Sequence, residues 1–178
     1  MRDVELVDYS RPGFVVVYLE GVASAETSET VLTIRPGTIG PRLEPEHAAL
    51  SATGSLVLRN QDEQPHMVSC PAAGAVFPLA PGETRQIDLA RPGEYPLFLI
   101  DVPGASSLVF VAPGTHTVVS PSGRFELGDL PPGRHRLGAW HPRLPSASHW
   151  IDLEAGRSSR VDLEIGVDVP QEAAVDAR

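Results

Sequence analysis

The side chains of this 178-residue chain that could bind a metal ion or attack a substrate include six histidines and a single cysteine, Cys70. His66 begins a short apolar segment that ends at Cys70, and imidazole and thiolate are ligands of copper and zinc sites. In an extended segment the two side chains share a face, but their Cα atoms lie about 13 Å apart at roughly 3.3 Å per residue. That separation is too large for one ion, so we predict that His66 and Cys70 do not form a metal site together.

The other histidines show no spacing typical of a ligand set. They are His47, His116, His135, His141 and His149. His135 alternates with Leu137 and Ala139, which favours a ring that lines the core. No CxxC, zinc, EF-hand or phosphate-loop pattern occurs, so we predict no metal or cofactor ligand. Whether His66, Cys70, His116, His141 or His149 converge on a metal depends on the tertiary structure.

The candidate nucleophiles are Cys70 and four serines: Ser106, Ser107, Ser120 and Ser122. A nucleophile needs a neighbouring base to activate it. None of these residues lies in a G-x-S-x-G turn or beside an obvious histidine and acid. We therefore predict that the protein is not an enzyme and that it has no catalytic residue.

Composition disfavours several classes of protein. The chain has 14 arginines, no lysine and 23 acidic residues, a net charge of -9, whereas nucleic-acid binding needs a basic surface. No apolar run approaches the length of a membrane-spanning helix, and residues 1–13 lack the apolar core of a signal peptide. We expect neither nucleic-acid binding nor direct membrane insertion.

Alternating polar and apolar residues along most of the chain predict short β-strands. Apolar residues occupy every second position of 160–169, whereas 14–19 (FVVVYL) is continuously apolar and is predicted to be buried on both faces. The remaining predicted strands are 31–34, 55–59, 66–70, 84–89, 95–100, 108–112, 116–119, 124–127, 135–140 and 149–153. Only 44–51 is compatible with a turn or two of helix. With 18 prolines and 16 glycines in the turns, the pattern predicts an all-β fold of one or two sandwiches.

The middle third of the chain resembles a cupredoxin. Residues 56–62 (LVLRNQD) followed by 66–68 (HMV) are similar to the strand and first ligand histidine of that family. Pro-Gly turns then precede two further strands, at 80–89 and 91–99, and the second of them corresponds to the strand that ends at the copper loop.

The resemblance also implies where the remaining copper ligands would be. In cupredoxins the last strand delivers a cysteine, then a histidine and usually a methionine. Leu99, Val102 and Ala105 stand at these positions here, and their side chains cannot coordinate copper. The resemblance therefore implies a cupredoxin scaffold whose copper site is degenerate, and we expect these three residues to pack together and extend the core.

The last third resembles a carboxypeptidase regulatory-like domain, which is a transthyretin-like sandwich. The resemblance is carried by 122–137 (SGRFELGDLPPGRHRL), and 14–21 is similar to the opening strand of the same domain. It implies a discontinuous domain of residues 1–34 plus 113–169, with a cupredoxin-like sandwich of residues 35–112 inserted and a disordered tail at 170–178. The opening strand is then expected to pair with strands beyond residue 113.

The combination of these two units resembles bacterial periplasmic proteins described as methylamine-utilisation or plastocyanin-like proteins. Trp140 and His141 match a Trp-His-Pro motif of that family, for which the resemblance implies packing between the two sandwiches. It further implies a periplasmic or extracellular location, although no signal peptide is visible in this chain.

Three classes of function remain. The first is a non-catalytic structural or protein-interaction module, such as an accessory subunit of an extracytoplasmic assembly, with the loop 101–107 as a docking surface for a protein partner. The second is a metal-handling protein, copper-binding or electron-transferring, with an unconventional site made of histidines plus Met67 or Cys70. The third is an enzyme, which no set of residues in the sequence supports. We expect the first.

Overall fold

The computed structural model of the protein describes residues 13–24, 29–89 and 91–167. Strands account for 52% of the described residues and helix for 2%, so the predicted all-β class is confirmed. The strands are β1 (Val16–Glu20), β2 (Glu29–Arg35), β3 (Arg42–Glu44), β4 (His47–Ser51), β5 (Ser55–Asn60), β6 (His66–Cys70), β7 (Ala75–Leu79), β8 (Thr84–Ile87), β9 (Gly93–Leu99), β10 (Ser106–Ala112), β11 (Gly114–Val118), β12 (Gly133–His141) and β13 (Leu144–Leu153). Within the described ranges, no helix is long and apolar enough to span a membrane.

The chain divides into two compact units. Among the described residues, 13–18 with 117–167 form one, here called the terminal unit, and those between 19 and 116 form the other, the central unit. The predicted boundaries, at 34 and 113, differ from this division, because β2 pairs with β3 and β5 and so belongs to the central unit. The identity of the terminal unit as a transthyretin-like domain stays a prediction.

The central unit contains two sheets that share one apolar core. The five-stranded sheet has the order β4-β10-β9-β6-β7 and the four-stranded sheet the order β3-β2-β5-β8. Fully buried side chains from both sheets meet in the core, among them Leu32 and Leu58 from one sheet and Val68 and Leu97 from the other. Burying apolar surface between the two sheets is the main stabilising contribution here.

The terminal unit is built around the antiparallel hairpin of β12 and β13. A third sheet has the order β11-β1-β12-β13, so the expected pairing of the opening strand with strands beyond residue 113 is confirmed. Gly138 in β12 lies under the ring of Tyr18: a Cβ atom there would come within 2.3 Å of the ring carbon Cζ. Only glycine therefore allows this close packing. Trp140 is buried and meets Phe14 edge to face, with ring centroids 6.4 Å apart.

Three local expectations were wrong, and strand pairing explains the first. The segment 44–51, which was compatible with a turn or two of helix, contains the end of β3 and the whole of β4, and β4 pairs in parallel with β10. Residues 124–127 and 160–167 are described and form no strand. In 161–165 the side chains still alternate between half-buried and exposed, but the backbone has no sheet partner there. Residues 168–169 and the predicted tail 170–178 lie outside the described ranges.

Candidate functional site

His66, the residue that the sequence singled out, begins β6 and points into the central unit. Its side chain is 4% exposed, and Val68 and Cys70 follow it on the same inward face of the strand. Because alternate residues of a strand face the same side, the strand separates His66 and Cys70 at its two ends. The two residues are therefore separated along the strand, as the extended geometry of 66–70 predicted.

Both ring nitrogens of His66 meet carboxylates. Nδ1 lies 2.7 Å from Oδ2 of Asp101, and Nε2 lies 2.8 Å from Oδ2 of Asp62. An imidazolium donates both N–H groups, so the protonated ring hydrogen-bonds to both acids at once. Asp101 follows β9, and Asp62 lies in the loop between β5 and β6. The ring thus ties together three segments of the central unit.

Further hydrogen bonds hold the two carboxylates in place. Oδ1 of Asp101 accepts the backbone N–H of Met67 at 2.8 Å. The backbone N–H of Asp62 donates to Oδ1 of Asn60 at 2.9 Å. The Asn60 amide, which is fully buried, donates to the carbonyl oxygens of Gln64 and Leu79. The loop that carries Asp62 is therefore fixed by a buried amide before His66 begins its strand.

The carboxylates reverse the effect of burial on His66. Burial, the largest single influence, lowers the pKa of His66, but the hydrogen bonds and charges of Asp62 and Asp101 together raise it above its ordinary value. The hydrogen bond from His66 lowers the pKa of Asp62. Burial raises the pKa of Asp101, yet the Met67 N–H and the His66 ring together bring it below its usual range. The three groups favour the charged state Asp⁻–His⁺–Asp⁻.

The expected packing of Leu99, Val102 and Ala105 is confirmed. Leu99 and Ala105 are 3% and 8% exposed members of the apolar core, and Val102 packs against it half-buried. Backbone hydrogen bonds close this turn: the Leu99 N–H donates to the Ala105 carbonyl at 3.0 Å, and the Val102 N–H to the Leu99 carbonyl at 3.2 Å. These three side chains offer no lone pair to a metal.

The other histidines have different environments. His135 is half-buried and its Nε2 donates to the carbonyl oxygen of Pro131 at 2.9 Å, so it is not the core-lining ring that the alternation suggested. Nδ1 of His141 accepts the N–H of Arg143, while His149 is opposite Leu137 in the hairpin. In the described part of the chain, no group of three or more His, Cys, Asp or Glu residues could hold a metal ion.

Cys70 is a free, fully buried thiol at the end of β6. Burial raises its pKa, an effect that the backbone N–H of Ala73 only partly opposes. A reactive cysteine instead needs an electropositive, partly exposed environment that stabilises the thiolate. The expectation of an unreactive cysteine agrees with this geometry.

Sequence reasoning missed the two acids around His66. Asp62 lies four residues before the histidine, a separation at which a loop can fold back, and that proximity was a usable signal. Asp101 lies 35 residues away and no local pattern marks it. It reaches the ring because Val68 of β6 is paired with Leu99 of β9.

Neither a known protein-family model nor a curated protein matches the chain. Among solved structures, it is similar to a purple cupredoxin from Nitrosopumilus maritimus, at 20% identity over 47% of this chain and 99% of that one, with a TM-score of 0.40. It is similar to an oxidised amicyanin variant at 17% identity, over 54% of this chain and 98% of that one, with a TM-score of 0.40. A copper-containing nitrite reductase from Thermus scotoductus SA-01 matches at 17% identity over 52% of this chain and 24% of that one, with a TM-score of 0.39. In each case the similarity spans about half of this chain.

Proposed function

We propose that this protein is a non-catalytic structural or protein-interaction module, an accessory subunit of an assembly outside the cytoplasm, on a cupredoxin-like scaffold that has lost its copper site. The observation that carries the proposal is that both His66 ring nitrogens face carboxylates, at 2.7 and 2.8 Å. A histidine ligand needs a neutral ring with a free nitrogen lone pair. The surroundings of His66 favour the protonated ring, which has no such lone pair.

The residues at the other positions support the same proposal. A blue-copper site needs a thiolate and two imidazoles in a trigonal arrangement. The resemblance aligns Leu99 and Val102 with the thiolate and the second imidazole, and Ala105 with the weak axial ligand. Because Leu99 and Ala105 are buried in the apolar core, they contribute to stability where the ligands would have contributed to metal binding.

The hydroxyl groups near the loops support a non-catalytic role. Ser107 Oγ donates to the carbonyl oxygen of Pro45 at 2.8 Å, and Ser120 Oγ donates to that of Arg124 at 2.9 Å. A serine nucleophile instead needs a hydrogen bond to a general base. These hydroxyls stabilise turns, and the Cys70 thiol is buried.

The accessory role and the compartment rest on the resemblance to periplasmic two-unit proteins. The net charge of -9 suits a protein partner better than a nucleic acid, whose phosphates would be repelled.

Titration of the native protein with copper(II) tests the loss of the metal site. We expect substoichiometric binding by equilibrium dialysis and no intense thiolate-to-copper band in the visible spectrum, because Leu99 and Val102 stand at the positions aligned with the thiolate and the second imidazole. The matched control is the triple variant Leu99→Cys, Val102→His, Ala105→Met, which restores the ligand types at the aligned positions. Adding Asp101→Ala to it frees Nδ1 of His66.

One equivalent of tightly bound copper in the unmodified protein would overturn the proposal in favour of the alternative, a metal-handling protein. If that binding disappeared in His66→Gln, the metal would use the ring that we assign to the two carboxylates. If it persisted, the metal would lie elsewhere in the chain.

A further inference from the structure

The outer face of the five-stranded sheet carries six uncharged side chains in two adjacent rows. We call these residues the sheet-face patch: Met67, Ser69, Val76, Pro78, Phe98 and Ile100. They come from three neighbouring strands, β7, β6 and β9, and from the residue that directly follows β9. The patch therefore forms one continuous surface on the central unit.

Strand register places these residues side by side. Ser69 of β6 is directly opposite Val76 of β7 and Phe98 of β9, which forms the first row. In the second row Met67 is opposite Pro78, and the N–H of Ile100 donates to the Met67 carbonyl at 2.8 Å. Residues directly opposite on one face of a sheet have their Cβ atoms about 5 Å apart, so these side chains are in contact range.

The patch is apolar although it faces solvent. Met67, Val76, Phe98 and Ile100 are 39%, 61%, 43% and 58% exposed. An antiparallel sheet with one solvated face normally alternates apolar and polar residues, but here the inward residues between them, such as Val68, are apolar as well. Half of the large hydrophobic side chains that are exposed in the described ranges lie in this patch. Apolar surface concentrated in this way marks interaction sites.

The edge of the five-stranded sheet that borders the patch, strand β7, is not suited to pairing with a strand of another protein. β7 is the outermost strand, and it contains Pro78, which has no backbone N–H to donate. Proline on an edge strand is one of the devices that prevent pairing with another chain. A partner would therefore contact the face of the sheet and not extend it.

Acidic residues border one end of the patch. The first residue of β6 and the last residues of β7 and β9 lie at the same end of the strands. The connecting segments at that end are 61–65, 80–83 and 100–105. They contain four acidic residues and no arginine: Asp62, Glu63, Glu83 and Asp101. Even with His66 protonated, this rim is negatively charged. A surface with an apolar centre and an acidic rim complements an apolar surface bordered by arginine or lysine.

We propose that the sheet-face patch is the docking surface for a partner protein whose contacting surface is apolar and bordered by basic residues. This inference rests on the proposed interaction function and names its site and the chemistry of its partner. It places the surface on the sheet and not on the loop 101–107, where Ala105 and Ser107 are buried although Pro103 and Ser106 are exposed. A second copy of this chain fits less well, because each copy carries a net charge of -9.

Site-specific photo-crosslinking in the native host tests the surface. A photoreactive amino acid replaces Phe98 in one variant and Trp150 in the control variant. Trp150 is the matched control because it is an aromatic residue of a sheet, 52% exposed, in the terminal unit. We expect an adduct from position 98 and none from position 150, with the cross-linked peptide of the partner apolar and flanked by arginine or lysine.

Binding of the purified partner then decides between specific docking and adventitious capture. Phe98→Glu and, as a second variant, Ile100→Glu should each weaken binding roughly tenfold or more, because a charge would be buried in the contact. Trp150→Glu should leave the affinity unchanged. Glu63→Arg with Glu83→Arg should slow association, and added salt should slow association of the unmodified protein. Thermal unfolding of each variant checks that the fold is retained.

Several outcomes overturn this inference. They are the absence of an adduct at position 98, an adduct of twice the mass of this chain, a cross-linked partner surface without basic residues, and equal effects of the Phe98 and Trp150 substitutions. If any of these results is found and the copper titration shows no stoichiometric binding, only the docking surface is contradicted, and the proposed loss of the metal site is unaffected. Stoichiometric copper binding would instead contradict the proposed function itself.

Discussion

His66 at the start of β6 and His116 on β11 are both withdrawn from solvent, yet their pKa values shift in opposite directions on folding. Burial lowers the pKa of both rings. His66 has a carboxylate at each nitrogen and its pKa ends above the ordinary value. His116, on β11, has an Nδ1 that is buried and has no hydrogen-bond partner among the described residues. Its pKa is lowered below the ordinary histidine value.

The difference shows that burial alone does not decide the charge of a histidine here. Desolvation disfavours the charged ring at both places. Asp62 and Asp101 overcome it at His66, and nothing in the described part of the chain does so at His116. His66 therefore acts as a cationic link between the loop at 61–65 and the turn at 100–105, whereas His116 is a neutral member of a strand.

The largest expected effect is that of removing the His66 ring. His66→Ala leaves two carboxylates facing a cavity without their donor, and we expect the free energy of unfolding to fall by about 2–4 kcal/mol. His116→Ala, which removes a ring without such partners, should cost about 1 kcal/mol or less. Urea unfolding at pH 6 measures both values. Equal losses for the two variants would contradict the comparison.

A smaller effect is expected in the pH dependence of stability, with opposite signs for the two rings. The pKa of His66 is raised on folding, so its stabilisation is complete below the ordinary histidine pKa of about 6.5 and is lost as the pH rises through the folded value. The pKa of His116 is lowered, so its contribution is complete above about 6.5 and is lost as the pH falls through the folded value.

Chemical unfolding between about pH 5 and 8 separates these contributions around the ordinary histidine pKa. His66→Gln should flatten the loss of stability on the alkaline side, and His116→Gln the loss on the acidic side. Asp62 and Asp101 contribute a further pH dependence, which lies on the acidic side of that range. Because their pKa values are lowered, their stabilisation is lost as the pH falls below about 3.9. A profile that His66→Gln leaves unchanged would show that the carboxylates do not hold a charged ring.

The smallest effect is expected at Cys70, the buried group at the opposite end of β6 from His66. As at His116, burial favours the uncharged form and raises the pKa of the thiol. Raising the pH to about 8.5, where half of the exposed thiols ionise, should therefore hardly increase its reaction with a thiol reagent. The denatured protein is the control and should react readily. A fast reaction in the folded protein would reopen the question of catalysis.

The sequence by itself determined the elements with the strongest local signal. The alternation in 66–70 indicated a strand with His66 and Cys70 on one face, and both residues point inward in β6. The continuous apolar run 14–19 indicated the buried strand that became β1. Apolar residues at 99, 102 and 105 indicated added core, because burial of such side chains is favourable in any arrangement that removes them from water. These features depend on neighbours close in the chain.

Tertiary structure alone decided what surrounds each of these residues. Residues 47–51 became a strand because β10 supplied hydrogen-bond partners from some 60 residues away, as the pairing of Ala48 with Val109 shows. His66 received its second carboxylate from Asp101 because the register of β6 against β9 brings the end of one strand beside the start of the other. A shift of one residue in that register would turn every side chain of the strand to the opposite face. Periodicity reports which residues share a face, but pairing between distant strands, which follows from the packing of the whole core, determines which charges meet.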